Sequence, residues 1–592
     1  MEKETGTYAY DVKQDIKKNT KFDFPYANPI YGLSVSGALS FNDESNSFVR
    51  ITIADNYNRE YLVYEAYPLI TDSLSFSFDD IAMETLVLDG IRIKSVNISI
   101  SNAALKLDKI EYLSRKSRTS ITEKQHRIAE QKDYLIDKIN QNLKKTKIPW
   151  RAGKTSLSDL SYEEKKAMFG DSVPYLGGLE YYVGGFFVSP HYKQEAEPQN
   201  ANQFVSEWDW RNRHGKNWVT PIRNQGTCGS CWVFSVVAAV ESYVNLYYNK
   251  IIDMDLSEQN VVSCSDNNSC DGGILSTAWN YIKQHGISEE DCYPYIYQQG
   301  DCSSLCSDPQ ERLFIDEYKH FSLSNKSEEE LKQALFKAPI AVAIPCWRHA
   351  ATIIGFKRIE AGDSVFVATS TPDYEEWFTI DPESPLVGKT AWLMKDSKGI
   401  QWGDQGFFYL VTNLKDFSQI YTIEGGLTSL QYSSDDIVVE DADQDGYYWW
   451  GVGDKPDFLP ENSIQDGDDS NPFYGPIDEF GNLIPNDSIK ITGTTIWKTP
   501  FSLNRHVHIA NGGRLRVNSE IDAFDGTTFI VDDGGELIID GGKLNHVKIF
   551  VRSGGHISLT NEGSVLLGES ASFEMEKGAS MELQTGSINI IK

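Results

Sequence analysis

With 592 residues, 40% of them hydrophobic, the chain is too long for a single core, and about three to five domains are expected. No apolar run approaches the ~18 residues needed to span a bilayer, so no transmembrane segment is expected. A formal net charge of −30 argues against nucleic acid as a partner, because such partners demand a basic face.

The N-terminus, MEKETGTYAYDVKQ, has no apolar signal-peptide core; either an export signal is replaced at Met1 or the protein stays inside, and the first is the expectation. Residues 1–117 read as a β-sandwich: SFVRITIAD, EYLVYEAYPLI and SVNISISNAALKLDKIEYL alternate or run in β-branched and aromatic residues. They loosely resemble the small jelly-roll modules of exported bacterial enzymes. Residues 118–205 turn helical, with Ile128, Leu135, Ile136 and Ile139 near helical spacing. Ser161 followed by Glu164 is a capping box that opens a second helix. Residues 186–206 lose periodicity and read as a polar linker open to proteases.

All eight cysteines fall in the next domain, 206–432, between positions 228 and 346. Bridges confined to one domain imply an oxidising compartment. Residues 433–486 are acidic, with 14 Asp or Glu between Asp435 and Glu479 against the single Lys455. Within them DADQDG matches half of a calcium loop, through Asp441, Asp443, Asp445 and Gly446, but Val452 stands where a bidentate Glu is due. A solvated linker and a structural calcium site are both open. Residues 487–592 repeat glycine turns at 511, 533, 553 and 577, at intervals of 22, 20 and 24, the signature of a β-solenoid.

The chemistry centres on NQGTCGSCWVFS, which places Cys228 and Cys231 three residues apart. A metal knuckle needs a second compact ligand pair, and the other cysteines are irregularly spaced. A redox pair expects a small thioredoxin-like βαβ pattern, which is absent. A nucleophile needs an oxyanion donor, a base and a group to orient the base. CWVFSVVAAVESYVNLYY reads as a long apolar helix beginning at Cys231, and a helix N-terminus stabilises a thiolate.

The stretch WDWRNRHGKNWVTPIRNQGTCGSCWVFSVVAAVES resembles the start of a mature papain-family cysteine peptidase. The resemblance implies a two-lobed fold, one lobe helical and one β-barrel-like, that hydrolyses peptide bonds. Cys231 is then the nucleophile, with Gln225 and the Cys231 N–H as oxyanion donors. LSEQNVVSCSDNNSCDGG resembles the family's glycine-pair segment, which implies that Gly272 and Gly273 meet substrate backbone and that Leu275 lines the pocket for the second residue before the cut. The same resemblance implies bridges Cys228–Cys270 and Cys264–Cys302. It leaves Cys292–Cys306 as a third, with Cys231 and Cys346 free. PIAVAIPCWRHAATIIGFK resembles the strand that carries the family's base, here His349. In WLMKDSKGIQWGDQG, Trp402 and Gly403 match the family motif, and Trp402 is placed at the substrate cleft. Asp396 stands where the family has asparagine, and Lys398 where it has the shielding tryptophan. Asp396 is assigned as the group that orients His349.

Two more features bear on function. Only ten residues separate Pro339 from His349, too few for the hairpin that borders the family's cleft, so Cys346 and Trp347 are expected to lie uncovered. NQNLKKTKIPWRAGKTSLSDLSYEEKKAMFG resembles the family's inhibitory propeptide, its signature surviving as Gly153, Thr155, Leu157 and Asp159. The expected protein is a multidomain α+β zymogen of bacterial type, secreted or at the cell surface. It needs no catalytic cofactor, acts on protein or peptide substrates and is inhibited by its own propeptide. Its β modules are assigned a glycan or other surface ligand. The rival is an inactive homologue that binds surfaces through those modules.

Overall fold

The computed structural model describes residues 6–590 except 44–45, 116–120, 194–203, 253, 267–268, 307–311, 323–326, 369–374, 430, 443–446, 461–462, 472–473, 486–488, 504 and 568–571. The chain divides into two units, one running through residue 436 and one formed by residues 437–592 with the short segments Asn212–Asn217 and Tyr248–Lys250.

The first unit opens with eight strands: β1 (Thr7–Ile16), β2 (Thr20–Asp23), β3 (Gly32–Phe41), β4 (Phe48–Asp55), β5 (Glu60–Ala66), β6 (Ser75–Ile81), β7 (Ile93–Ser101) and β8 (Ala103–Leu113). They form two antiparallel sheets, ordered β1-β8-β3-β6 and β2-β7-β4-β5. That order is a jelly roll. Val49, Ile51 and Ile53 of β4 face the core with Val35, Leu107 and Ile110. Period-two alternation turns Arg50 and Thr52 to the opposite face, yet these too are buried. At Arg50 the cover is the chain that follows the sandwich.

That chain holds α1 (Ile121–Thr146), β9 (Trp150–Ala152), α2 (Ser156–Asp159), α3 (Tyr162–Phe169) and β10 (Tyr182–Val188). At the α3 N-terminus the Ser161 hydroxyl accepts from the Glu164 N–H, while the Ser161 N–H donates to the Glu164 carboxylate at 2.7 Å. Thr155 and Ser158 cap α2 in the same reciprocal way. Residues 186–188 are not linker. Phe186 and Phe187 are buried in β10, which adds a parallel strand beside the later strand Phe407–Val411. Two adjacent aromatics followed by valine supply a strand's apolar content, and the polar run begins only after them.

The catalytic region adds β11 (Glu207–Asp209) and helices α4 (Cys231–Tyr248), α5 (Glu258–Cys264) and α6 (Leu275–His285), then β12 (Phe314–Phe321) and α7 (Glu328–Leu335). Strands β13 (Ile340–Ile344), β14 (His349–Arg358), β15 (Ser364–Ala368), β16 (Glu375–Thr379), β17 (Thr390–Lys395), β18 (Phe407–Val411) and β19 (Ser418–Thr428) follow. The main sheet runs β12-β19-β13-β14-β17-β18-β10-β9, with β11 beside β14. Helix α4 is mostly apolar and buries Trp232, Val233, Val236, Val237, Ala239 and Val240, as a central helix must.

The second unit contains the acidic segment and the solenoid. Despite its charge the acidic segment is folded: Trp449 and Trp450 are buried, and the His214 ring stacks on Trp449 at 3.8 Å. The run Tyr447–Trp450 provides the apolar surface that a solvated linker lacks. In the solenoid, Thr494–Trp497, Arg514–Val517, Glu536–Asp540, His556–Thr560 and Ser580–Leu583 stack in parallel as one sheet, with a second parallel sheet beside it. Leu515, Leu537, Ile557 and their neighbours fill the interior.

Candidate active site

Three structural elements bring the reacting groups together. Cys231 is the first residue of α4, where the helix's unpaired N–H groups gather. The loop before it is held by the Cys228–Cys270 bridge and by the Gly229 N–H donating to the Cys270 carbonyl at 2.6 Å. His349 is the first residue of β14, after a tight turn in which Arg348 takes a left-handed conformation. Strands β14 and β17 are antiparallel, with Thr352 opposite Lys395. The start of one therefore meets the end of the other, and Asp396, just beyond β17, reaches His349.

Both Asp396 carboxylate oxygens lie 3.1 Å from His349 Nε2. Lys398 closes the group, its Nζ 2.7 and 2.8 Å from the two Asp396 oxygens and 2.8 Å from His349 Nε2. All three side chains are 1% exposed or less. Gln225 donates through Nε2 to the Cys228 carbonyl at 2.9 Å and accepts from the Ser397 hydroxyl at 2.6 Å. The Ser397 N–H in turn donates to Asp396 Oδ1 at 2.7 Å. Ser397 was not singled out by the sequence, although it sits between the two residues that depart from the family motif.

The electrostatics favour a charged pair. Burial pushes the Cys231 thiol up, but the charge and hydrogen bond of His349, the Ala350 N–H and the charge of Lys398 outweigh it and leave the pKa lowered. For His349, burial and Lys398 press the pKa down, while Asp396 and Cys231 raise it and prevail. Asp396 is held below its ordinary range: burial opposes ionisation, and Lys398 and His349 overcome it.

Gly272, Gly273, Leu275 and Trp402 are the residues expected to meet substrate. Gly272 has φ +119 and open space where a side chain would start. A Cβ on Gly273 would meet the Trp232 indole at 2.4 Å, so only glycine fits. Leu275 is buried, and its N–H donates to Gln419 Oε1 at 3.0 Å. Trp402 is buried and donates through Nε1 to the Leu179 carbonyl at 3.1 Å. The bridges Cys264–Cys302 and Cys292–Cys306 are formed, and Cys231 and Cys346 are free. Of the calcium residues, Asp443 and Asp445 lie outside the described residues. Among those described, including Asp441, no group of three or more His, Cys, Asp or Glu side chains is placed to hold a metal.

Residues 169–172 also reach the group around His349. The Phe169 ring stands 6.3 Å from the His349 ring, Arg348 donates to the Ser172 hydroxyl at 2.6 Å, and a Cβ on Gly170 (φ +69) would meet the Asp271 carbonyl at 2.5 Å. Trp347, expected to be uncovered, is fully buried, with Phe187 packed edge-on at 5.7 Å. The short turn before His349 leaves the space, and Phe187 of β10 fills it.

Residues 204–425 match the papain family cysteine protease model. The probable cysteine protease RDL4 of Arabidopsis thaliana is 29% identical over 297 residues, covering 50% of this chain and 75% of that protein. Cathepsin K of Gallus gallus is 31% identical over 227 residues, covering 36% and 64%. Among solved structures, digestive procathepsin L2 proteinase from Tenebrio molitor larval midgut is similar, with 22% identity, a TM-score of 0.36 and coverage of 52% of this chain and 95% of that one. By the family match, residues 204–425 form a papain-like cysteine peptidase domain. The expectation of a bacterial type is overturned, because these relatives, with others from Hemerocallis and Vigna mungo, come from plants and animals.

Proposed function

We propose that the chain is the latent form of an exported papain-like cysteine endopeptidase whose residues 150–188 block its own cleft. The carrying observation is the seating of Phe169 and Gly170 against His349 and Asp271, where a peptide substrate would lie. Once the prosegment leaves, the Cys231 thiolate attacks the substrate carbonyl. Gln225 Nε2 and the Cys231 N–H donate to the oxyanion. His349, with Nε2 held by Asp396, gives its other ring proton to the leaving amine and then takes one from the attacking water. Every proton is moved by a side chain, so this sequence of steps calls for no cofactor. Three bridges in the catalytic region fit an oxidising compartment, secreted or at the cell surface. For the jelly roll and solenoid, which hold none of these groups, a glycan or other surface ligand is the proposed partner.

The test is labelling with an epoxide peptide before and after cleavage within residues 194–203. Reaction at Cys231 alone, and faster after cleavage, is expected. A cleaved chain that neither labels nor hydrolyses peptides would instead support an inactive homologue.

A further inference from the structure

We propose that Lys398 is a positioning residue of the proton relay: its buried ammonium neutralises Asp396, so that a carboxylate does here the work of an uncharged orienting group. This rests on the peptidase reading above. The Lys398 ammonium donates to both Asp396 oxygens, lies 2.8 Å from His349 Nε2 and sits over the face of Trp402, whose ring centre is 4.6 Å away. A desolvated ammonium is tolerated only when paired in this way.

The chemistry requires a compensating charge. His349 must hold a proton while Cys231 is a thiolate, then release it to the leaving amine. An uncompensated carboxylate 3.1 Å away, out of water, would strengthen the first step and impede the second. With Lys398 on the same carboxylate the pair carries no net charge, while its dipole still orients Nε2–H. When His349 is protonated, the ammonium 2.8 Å from Nε2 repels the ring's charge and favours proton release. The groups acting on the ring are Lys398 and Asp396 after β17 and Cys231 of α4. Arg348, its chain neighbour, is turned to Ser172.

The experiment compares wild type, Lys398→Met, Asp396→Asn and the double variant, each as the full chain cleaved within residues 194–203. Two profiles are read against pH: the rate of Cys231 alkylation by iodoacetamide, and kcat/KM for a peptide. Lys398→Met should move the alkaline limb of kcat/KM, and the high-pH inflection in the alkylation rate that marks loss of the His349 proton, up by about one unit or more, and lower the plateau of kcat/KM about tenfold or further. Asp396→Asn should move that limb down. The double variant, which leaves neither charge unpaired, should return it close to wild type and recover more rate than the two single losses predict. It also carries the test should Lys398→Met fail to fold. Unmoved limbs in Lys398→Met, or a double variant with strictly additive losses, overturn the role of Lys398 alone. A wild-type Cys231 that alkylates at neutral pH no faster than an ordinary thiol overturns the peptidase reading, and this one with it.

Discussion

The ring of Phe169, at the end of a prosegment helix, stands edge-on to the ring of His349, with centroids 6.3 Å apart and planes at 74°. An aromatic contact of this kind contributes about 0.5–1.5 kcal/mol beyond its buried area. It also occupies the side of the imidazole that a substrate must approach. Phe169→Ala should therefore raise peptidase activity of the uncut chain, by about tenfold, while leaving that of the cleaved chain unchanged. Equal activity of cut and uncut wild type would show that residues 150–188 do not inhibit.

The jelly roll grips the same prosegment. Arg50 is buried and paired with Glu65 at 2.6 Å, and its guanidinium donates to the Val173 and Pro174 carbonyls at 2.5 and 2.9 Å. Phe48 stacks on Tyr175 beside it, at 5.0 Å. Hydrogen bonds from a charged donor are worth about 1.5–3 kcal/mol each, and the forked geometry is one that lysine does not reproduce. Arg50→Lys should speed labelling of Cys231 in the uncut chain by about tenfold, with the jelly roll still folded by circular dichroism. If labelling is unchanged, the sandwich plays no part in latency.

The pH dependence follows from the directions of two shifts. The thiolate–imidazolium pair exists above the Cys231 pKa, which is lowered, and below the His349 pKa, which is raised. The kcat/KM profile of the cleaved chain should be bell-shaped, its acid limb below and its alkaline limb above those of an isolated thiol and imidazole. Asp396→Asn removes the carboxylate that raises His349, so the alkaline limb falls. Asp396→Ala should lose more rate, because the ring is then unrestrained. Wild-type rates and limbs in both variants would place Asp396 outside the relay.

What could be read from the sequence depended on the range of the interaction. Cys231, Gln225 and Asp396 stand in short motifs whose spacing sets their geometry, and the structure brings them together with His349. The Arg50 contact with Val173 spans 123 residues and leaves no local pattern. Alternation in β4 marked a strand but gave no hint that its outer face, too, is covered. Phe186 and Phe187 open a stretch dominated by the polar residues after them, and the two adjacent aromatics are its only strand signal. Acidic composition likewise concealed Trp449 and Trp450. The glycine period was legible because each coil repeats one backbone requirement.

That requirement separates two neighbouring glycines. In the stacked turns, the Gly512, Gly534 and Gly554 N–H groups donate to the carbonyls of Gly534, Gly554 and Gly578, each at 3.1 Å. Gly512 has φ +76, with nothing within 4 Å of an added Cβ. Gly512→Ala therefore meets only the left-handed backbone penalty, about 1–2 kcal/mol. Gly513 is limited by space instead: its Cβ would lie 1.9 Å from the Ile491 carbonyl oxygen, and Ile491 belongs to the neighbouring coil. A backbone carbonyl cannot move aside without shifting that coil, so Gly513→Ala should cost more than Gly512→Ala. Hydrogen exchange read on Val507–Ile509 and Arg514–Val517 measures both effects locally, free of the other domains. Protection should fall modestly in Gly512→Ala and much further in Gly513→Ala. The reverse ranking would mean that conformation, not close approach between coils, is what Gly513 supplies.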